Sequence, residues 1–274
     1  MTLTVDCFGM TDRGKVRDAN EDNFLIVEIR KSVEVRHSSI PPEELGKRFG
    51  TAAAHLLVVA DGVGSGPEGE RASGDTIRAL LSYVSQTVGC FNAVTAEKEH
   101  ELFERIEQTV RGVHESLVAG YAGSSVQGPA TTLTMALLIW PRVYIVHVGD
   151  SRAYVRRAGR VQQLTRDQTF GEYMVSLGAW TEEQAANSRP GATLTSAVGG
   201  PQMEPVVGLI DLEPGDSVML CTDGLTRYVP DDRIAAVLGD GGNAESMARM
   251  LTSEALAGGG GDNISIIIAR IAAN

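Results

Sequence analysis

The stretch Leu56-Leu57-Val58-Val59-Ala60-Asp61-Gly62-Val63-Gly64-Ser65 decides how the chain is read. Its run of leucine and valine predicts a buried strand. The run stops at an acid followed by glycines, which predicts a tight turn where backbone can approach a ligand. A carboxylate at a strand end, with a backbone carbonyl freed beside it, suits a hard cation such as Mg²⁺ or Mn²⁺. Asp-Gly is also a common turn, so the weight falls on whether other acids recur in the same setting.

Three do. A strand expected over 143–148 runs into Gly149-Asp150-Ser151-Arg152, and one over 216–221 runs into Thr222-Asp223-Gly224. A flexible glycine run, 258–261, leads to Asp262-Asn263 and a closing strand over 264–271. A Glu21-Asp22 pair ends the polar stretch Arg17-Asp18-Ala19-Asn20-Glu21-Asp22, between strands expected over 5–11 and 23–29. Any one acid could simply end a strand. Four held together without cations would repel and have their pKa values driven up. Divalent ions remove that cost, and one shared carboxylate, Asp61, could bridge two of them at the ~3.5–4 Å spacing of binuclear hydrolases.

Around these points the pattern is helical in two places. Ile77, Leu80, Leu81, Val84 and Val88 share one face over 67–88, and Leu102, Phe103, Ile106, Val110, Val113 and Leu117 share another before Gly120 and Gly123. Segments 231–238 and 244–256 also read as helices, and Thr181-Glu182-Glu183-Gln184 has the capping-box pattern. Residues 131–164 read as a meander of antiparallel strands, and 204–212 and 216–221 as two strands joined by Glu213-Pro214-Gly215. The sum is a single α+β domain over 1–274, a central antiparallel β-sandwich flanked by α-helices on both faces. A peripheral excursion at about 30–54 includes Pro42-Glu43-Glu44-Leu45, which can open a short helix.

The 274 residues are 43% hydrophobic, enough for a real core. A net charge of −11 argues against a nucleic-acid partner but not against a phosphorylated one when metal ions are present. No apolar run reaches the ~18 residues of a membrane span, and the start shows neither basic stretch nor signal core. Cys7, Cys90 and Cys221 are odd in number and far apart, so no disulfide framework or zinc site is implied. A reduced cytoplasmic setting is expected.

The motifs together resemble the metal-dependent protein phosphatases of the PPM (PP2C) family, bacterial type. They are residues 17–22, Val59-Ala60-Asp61-Gly62-Val63-Gly64, Gly128-Pro129-Ala130-Thr131-Thr132-Leu133, Val148-Gly149-Asp150-Ser151-Arg152, Leu164-Thr165-Arg166-Asp167, Leu220-Cys221-Thr222-Asp223-Gly224-Leu225 and Gly261-Asp262-Asn263-Ile264-Ser265. They fall in family order over nearly the whole chain. The resemblance implies a four-layer α-β-β-α fold and a protein serine/threonine phosphatase with two Mn²⁺ or Mg²⁺ ions. Arg17 would bind the substrate phosphate. Asp61 would bridge the ions, Gly62 would lend a carbonyl, and Asp223 and Asp262 would complete the first ion's shell. Glu21 and Asp22 would hold ion-bound waters, and Asp150 would take a third, weaker ion. A hydroxide bridging the ions would attack phosphorus directly. A variable flap, about 166–200, would influence substrate choice. The implied partners are phosphorylated proteins and a cognate Ser/Thr kinase, with no membrane and a monomeric state expected.

Three departures from the family pattern stand out. Val63 replaces a histidine of animal members, Arg227 replaces an acid four residues after Asp223, and Gln168 replaces a histidine after Asp167. Arg227 bears on the third ion and could instead give a phosphate contact. Cys7 with Arg13, and Cys221 with Arg227, match the Cys-x₅-Arg spacing of cysteine phosphatases, but Asp12 and Asp223 inside those loops would repel phosphate. Ser151 has no histidine in a suggestive motif beside it. The alternative from another class is a pseudophosphatase, a module that binds a phosphoprotein or kinase without turnover. Its mark would be the loss of a metal acid, and Asp61, Asp223 and Asp262 are all present.

Overall fold

The computed structural model describes residues 3–30, 33–34, 48–49, 52–64, 67–87, 96–120 and 128–273. Strands β1 (Leu3–Asp12) and β2 (Asp22–Arg30) flank the loop that carries Arg17. The short pair β3 (Val33–Glu34) and β4 (Arg48–Phe49) precedes β5 (Ala52–Val63), which is followed by helices α1 (Pro67–Thr87) and α2 (Ala96–Gly120). Next come β6 (Ala130–Thr131), β7 (Leu133–Ile139), β8 (Arg142–Val148), β9 (Arg152–Arg157) and β10 (Arg160–Gln163). Two short helices, α3 (Phe170–Ser176) and α4 (Glu182–Ala186), lead to β11 (Val206–Asp211) and β12 (Ser217–Cys221). Helices α5 (Asp223–Thr226), α6 (Asp231–Gly239) and α7 (Ala244–Gly258) precede the closing strand β13 (Ile264–Ala273).

The strands form two antiparallel sheets. One has the order β1-β13-β12-β9-β10, the other β11-β8-β7-β5-β2, with β6 paired to β5. Alternation along β5 explains why they stack. Leu57 and Val59 point at the opposite sheet and meet Val218, Leu220, Ile267 and Ala269. Leu56 and Val58 point the other way and are covered by Ile77 and Leu80 of α1 and by Ile106 and Val110 of α2. The outer face of the first sheet, with Met219, Ile266 and Ile268, is covered by Ile234 and Val237 of α6 and by Met247 and Leu251 of α7. The layers are therefore helix, sheet, sheet, helix, as expected.

Several local expectations need correction. β5 does not stop at Asp61 but runs on through Val63, because β6 supplies pairing partners for Gly62 and Val63. Gly62 is thus a strand residue, and Asp223-Gly224 opens α5 rather than making a turn. The stretch 131–164 is not one meander. β7–β8 and β9–β10 are hairpins in different sheets, so the chain crosses between sheets at residues 149–151. It crosses again between β11 and β12. The 258–261 glycines are not free. Gly260 accepts from the Lys15 amide at 2.7 Å, and the Gly261 amide donates to the Tyr228 hydroxyl at 2.9 Å. Leu81 is 37% exposed and falls off the buried stripe of α1. The capping box at Thr181 is present, with reciprocal bonds to Gln184. Val88, Gly123, Ser65, Cys90 and most of the excursion at about 30–54, including its short helix, lie outside the described residues, as do the side chains of Val84 and Leu102.

Candidate metal and phosphate site

The acids meet at one end of the sandwich because both sheets deliver them there. Asp61 and Asp22 are cross-strand partners on β5 and β2 of the second sheet. Asp223 follows β12 and Asp262 precedes β13, neighbours in the first sheet. Asp150 sits on the crossover from one sheet to the other. Arg17, Glu21, Asp61, Gly62, Asp150, Asp223 and Asp262 line a cavity of about 580 Å³. Asp22 lies beneath it, 4% exposed. All of the expected residues are thus brought together.

Backbone threads hold them. The Asp61 amide donates to Thr132 Oγ1 at 3.0 Å, while the Thr132 amide and the Thr131 hydroxyl donate to the Asp61 carbonyl, each at 2.9 Å. Thr132 Oγ1 also meets Ser151 Oγ at 2.8 Å, so Ser151 is a buried brace and not a nucleophile. Asn263 donates to the carbonyls of Arg13 and Ala19 and accepts from the Glu21 amide, fixing the loop of Arg17. The Thr222 hydroxyl donates to Asp22 Oδ2 at 2.8 Å and accepts from the Ser265 amide. Gln168 accepts from the Gly149 amide and donates to the Glu204 carbonyl, both at 2.8 Å, and so anchors the crossover beside Asp150. None of these positioning roles was assigned from sequence. Thr222 and Asn263 adjoin expected ligands in the chain, which was the available signal; Gln168 stood out only as a departure from the family pattern, with no role attached to it.

Two close approaches need glycine. A Cβ on Gly62 would run into the carbonyl of Gly69 near the start of α1 and come within 2.8 Å of the Glu21 carbonyl. A Cβ on Gly224 would strike the carbonyl of Asn263.

Electrostatically the cluster is strained. Burial pushes the Asp22 carboxyl up to about 7, with the charges of Asp223 and Asp262 adding to the rise and the Thr222 bond opposing it. Burial and the neighbouring carboxylates hold Asp61 and Asp150 well above the ordinary range, and burial raises Asp223 against the pull of Arg227. Arg17 Nη2 donates to Asp262 Oδ2 at 2.7 Å, Arg227 Nη1 donates to the same oxygen at 3.1 Å, and Arg227 Nη2 pairs with Asp223 Oδ2. With these oxygens turned to arginines, no three acidic, histidine or cysteine side chains among the described residues close on one point. Yet Asp22 Oδ1 and Asp223 Oδ1 are buried without a hydrogen-bond partner. Crowded carboxylates with raised pKa values and orphaned oxygens fit hard divalent cations.

The cysteine alternative does not fit. Burial pushes the thiols of Cys7 and Cys221 up to about 12, far from the thiolate that nucleophilic attack needs.

Two facing sheets with acids from both at one end, beside the Arg17 loop that Asn263 ties down, place the chain in a known class. The family model for protein phosphatase 2C matches residues 46–256, and the chain belongs to that family. It is 30% identical over 272 residues to the serine/threonine protein phosphatase PstP of Mycobacterium tuberculosis, covering 99% of this chain but only 46% of that protein. It is 28% identical over 261 residues to the serine/threonine phosphatase stp of Listeria innocua, covering 94% of this chain and 92% of that one. Among solved structures, the catalytic domain of PstP in complex with 2 manganese ions superposes with a TM-score of 0.75 at 29% identity, over 99% of this chain and 100% of that one. Among the described residues, no helix is long and apolar enough to cross a membrane.

Proposed function

We propose that the chain is a metal-dependent protein serine/threonine phosphatase that hydrolyses phosphoserine and phosphothreonine and so reverses a protein kinase. The observation that carries the reading is the convergence of Asp61, Asp223 and Asp262 with Arg17 in one cavity, with Asp223 Oδ1 and the nearby Asp22 Oδ1 left unpartnered. The manganese ions of the PstP structure support the choice of cation. Asp61, the Gly62 carbonyl, Asp223 and Asp262 would hold two Mn²⁺ or Mg²⁺ ions, with Glu21 and Asp22 ordering water around them. When bound, the ions supply Lewis-acid charge and acidify water. The remaining work falls to the protein. Arg17, 51% exposed at the cavity wall, presents a planar fork that orients phosphoryl oxygens. The acids around the cavity repel an unescorted phosphate, so binding depends on the cations. Val63 borders the cavity and cannot move a proton, which leaves protonation of the leaving hydroxyl to water. Residues 192–197 and 200–202, on the flap side, complete the wall and would meet the peptide around the phosphate.

The test is hydrolysis of a phosphothreonine peptide by purified protein with Mn²⁺, against EDTA and against Asp223→Ala. Turnover should require the metal and fall by at least about 100-fold in the variant. Turnover that survives both would refute the assignment of the site. Bound metal without turnover would favour a phosphoprotein-binding module.

A further inference from the structure

Two guanidinium groups meet at one carboxylate oxygen. Arg17 reaches Asp262 Oδ2 from the loop between β1 and β2, and Arg227 reaches it from the C-cap of α5. Arg227 also spans to Asp223. Both arginine side chains are about half exposed, at 51% and 48%, and both line the cavity. Their common partner oxygen places the two N–H donors within the span of one phosphoryl group.

On the reading above, Asp223 and Asp262 give their oxygens to cations. A cation on those oxygens repels a guanidinium and takes the lone pairs it was using. Both arginines then lose these partners together, on the wall of the same cavity. The ligand that matches two forked donors beside divalent cations is a dianion with several terminal oxygens. A phosphate monoester is such a group, whereas a diester is a monoanion with fewer free oxygens.

We propose that Arg227 is a second substrate-binding residue, which with Arg17 grips the phosphoryl oxygens of a monoester from two sides. The inference rests on the hydrolase reading for its substrate. The departure from the family acid at this position is then a gain of a hydrogen-bond donor to phosphate.

The experiment uses the whole chain loaded with Mn²⁺, in wild-type, Arg227→Ala and Arg227→Lys forms. Inorganic phosphate is the probe, its binding followed by calorimetry, and KM and kcat are measured on a phosphothreonine peptide. Manganese content per chain is read by mass spectrometry. Arg227→Ala should weaken phosphate binding and raise KM together by about tenfold, with a smaller fall in kcat. Lysine should restore part of the loss, since it keeps the charge but not the fork. Manganese content should be equal in all three. Equal phosphate affinity in wild type and Arg227→Ala overturns the clamp, whatever the turnover. Extra manganese in Arg227→Ala also overturns it, since Arg227 would then be standing in for an ion. Absent turnover in wild type, with phosphate binding still weakened by Arg227→Ala, sinks the hydrolase reading and keeps the clamp.

Discussion

At the scale of single residues, the proposed site would trade stability for cation binding. Burial raises the Asp61 pKa, and crowding by Asp22, Asp223, Asp150 and Asp262 raises it further. Replacing it with asparagine removes one of the repelling charges without changing shape. Asp61→Asn should therefore raise Tm in EDTA by roughly 2–4 °C, about 1 kcal/mol, while abolishing manganese-dependent hydrolysis. A scan in EDTA checks the first half and a peptide assay the second. A Tm that drops in the variant would mean that Asp61 is held by contacts and not merely tolerated. The convergence of the acids was legible in the sequence because Asp61, Asp150 and Asp223 each close an apolar run and Asp262 opens one, while the parts expected of Arg17, Glu21 and Asp22 came from the family resemblance. The supports of these residues were not legible. Thr132, Asn263 and Gln168 act through bonds across 71, 242 and 19 positions of chain, and no local pattern announces such partners.

Elements set the distances between those residues, and glycine sets how close elements come. Gly62 lets β5 lie against α1, where a side chain would meet the Gly69 carbonyl. Gly62→Ala should cost about 2 kcal/mol or more and lower manganese affinity, because α1 and the Glu21 backbone must both retreat. Calorimetric titration with Mn²⁺ and a denaturation curve give the two readouts; unchanged affinity would show that the close packing is not what shapes the site. The sequence marked this glycine but for a turn, since Asp-Gly is locally ambiguous between a turn and a strand that another strand extends. Helices α1, α2, α6 and α7 and most strands were legible from periodicity, whereas α3 and α5, of 7 and 4 residues, are too short to show one. The crossovers from β8 to β9 and from β11 to β12 were not, because a short link between antiparallel strands looks the same whether the second strand pairs with the first or faces it.

For the whole molecule, raised carboxylate pKa values fix how stability depends on pH. Asp22 moves from an ordinary 3.8 to about 7 on folding. The folded state then binds more protons than the unfolded chain between roughly pH 4 and 7, so the metal-free protein loses stability as pH rises through that window. Cation binding needs the deprotonated carboxylates and grows over the same range. The gap between Tm in Mn²⁺ and Tm in EDTA should therefore widen from pH 5 to pH 7.5, as followed by differential scanning calorimetry. A constant gap would contradict the raised pKa values. Asp61 and Asp22 belong to one sheet, and Asp223 and Asp262 to the ends of strands in the other. Cations held between them would act as a rivet through the sandwich, and the sheets would part at that end only after the ions leave. The lifetime of the folded chain would then follow the rate of ion escape, and manganese supply would govern how long the protein lasts as well as how fast it works.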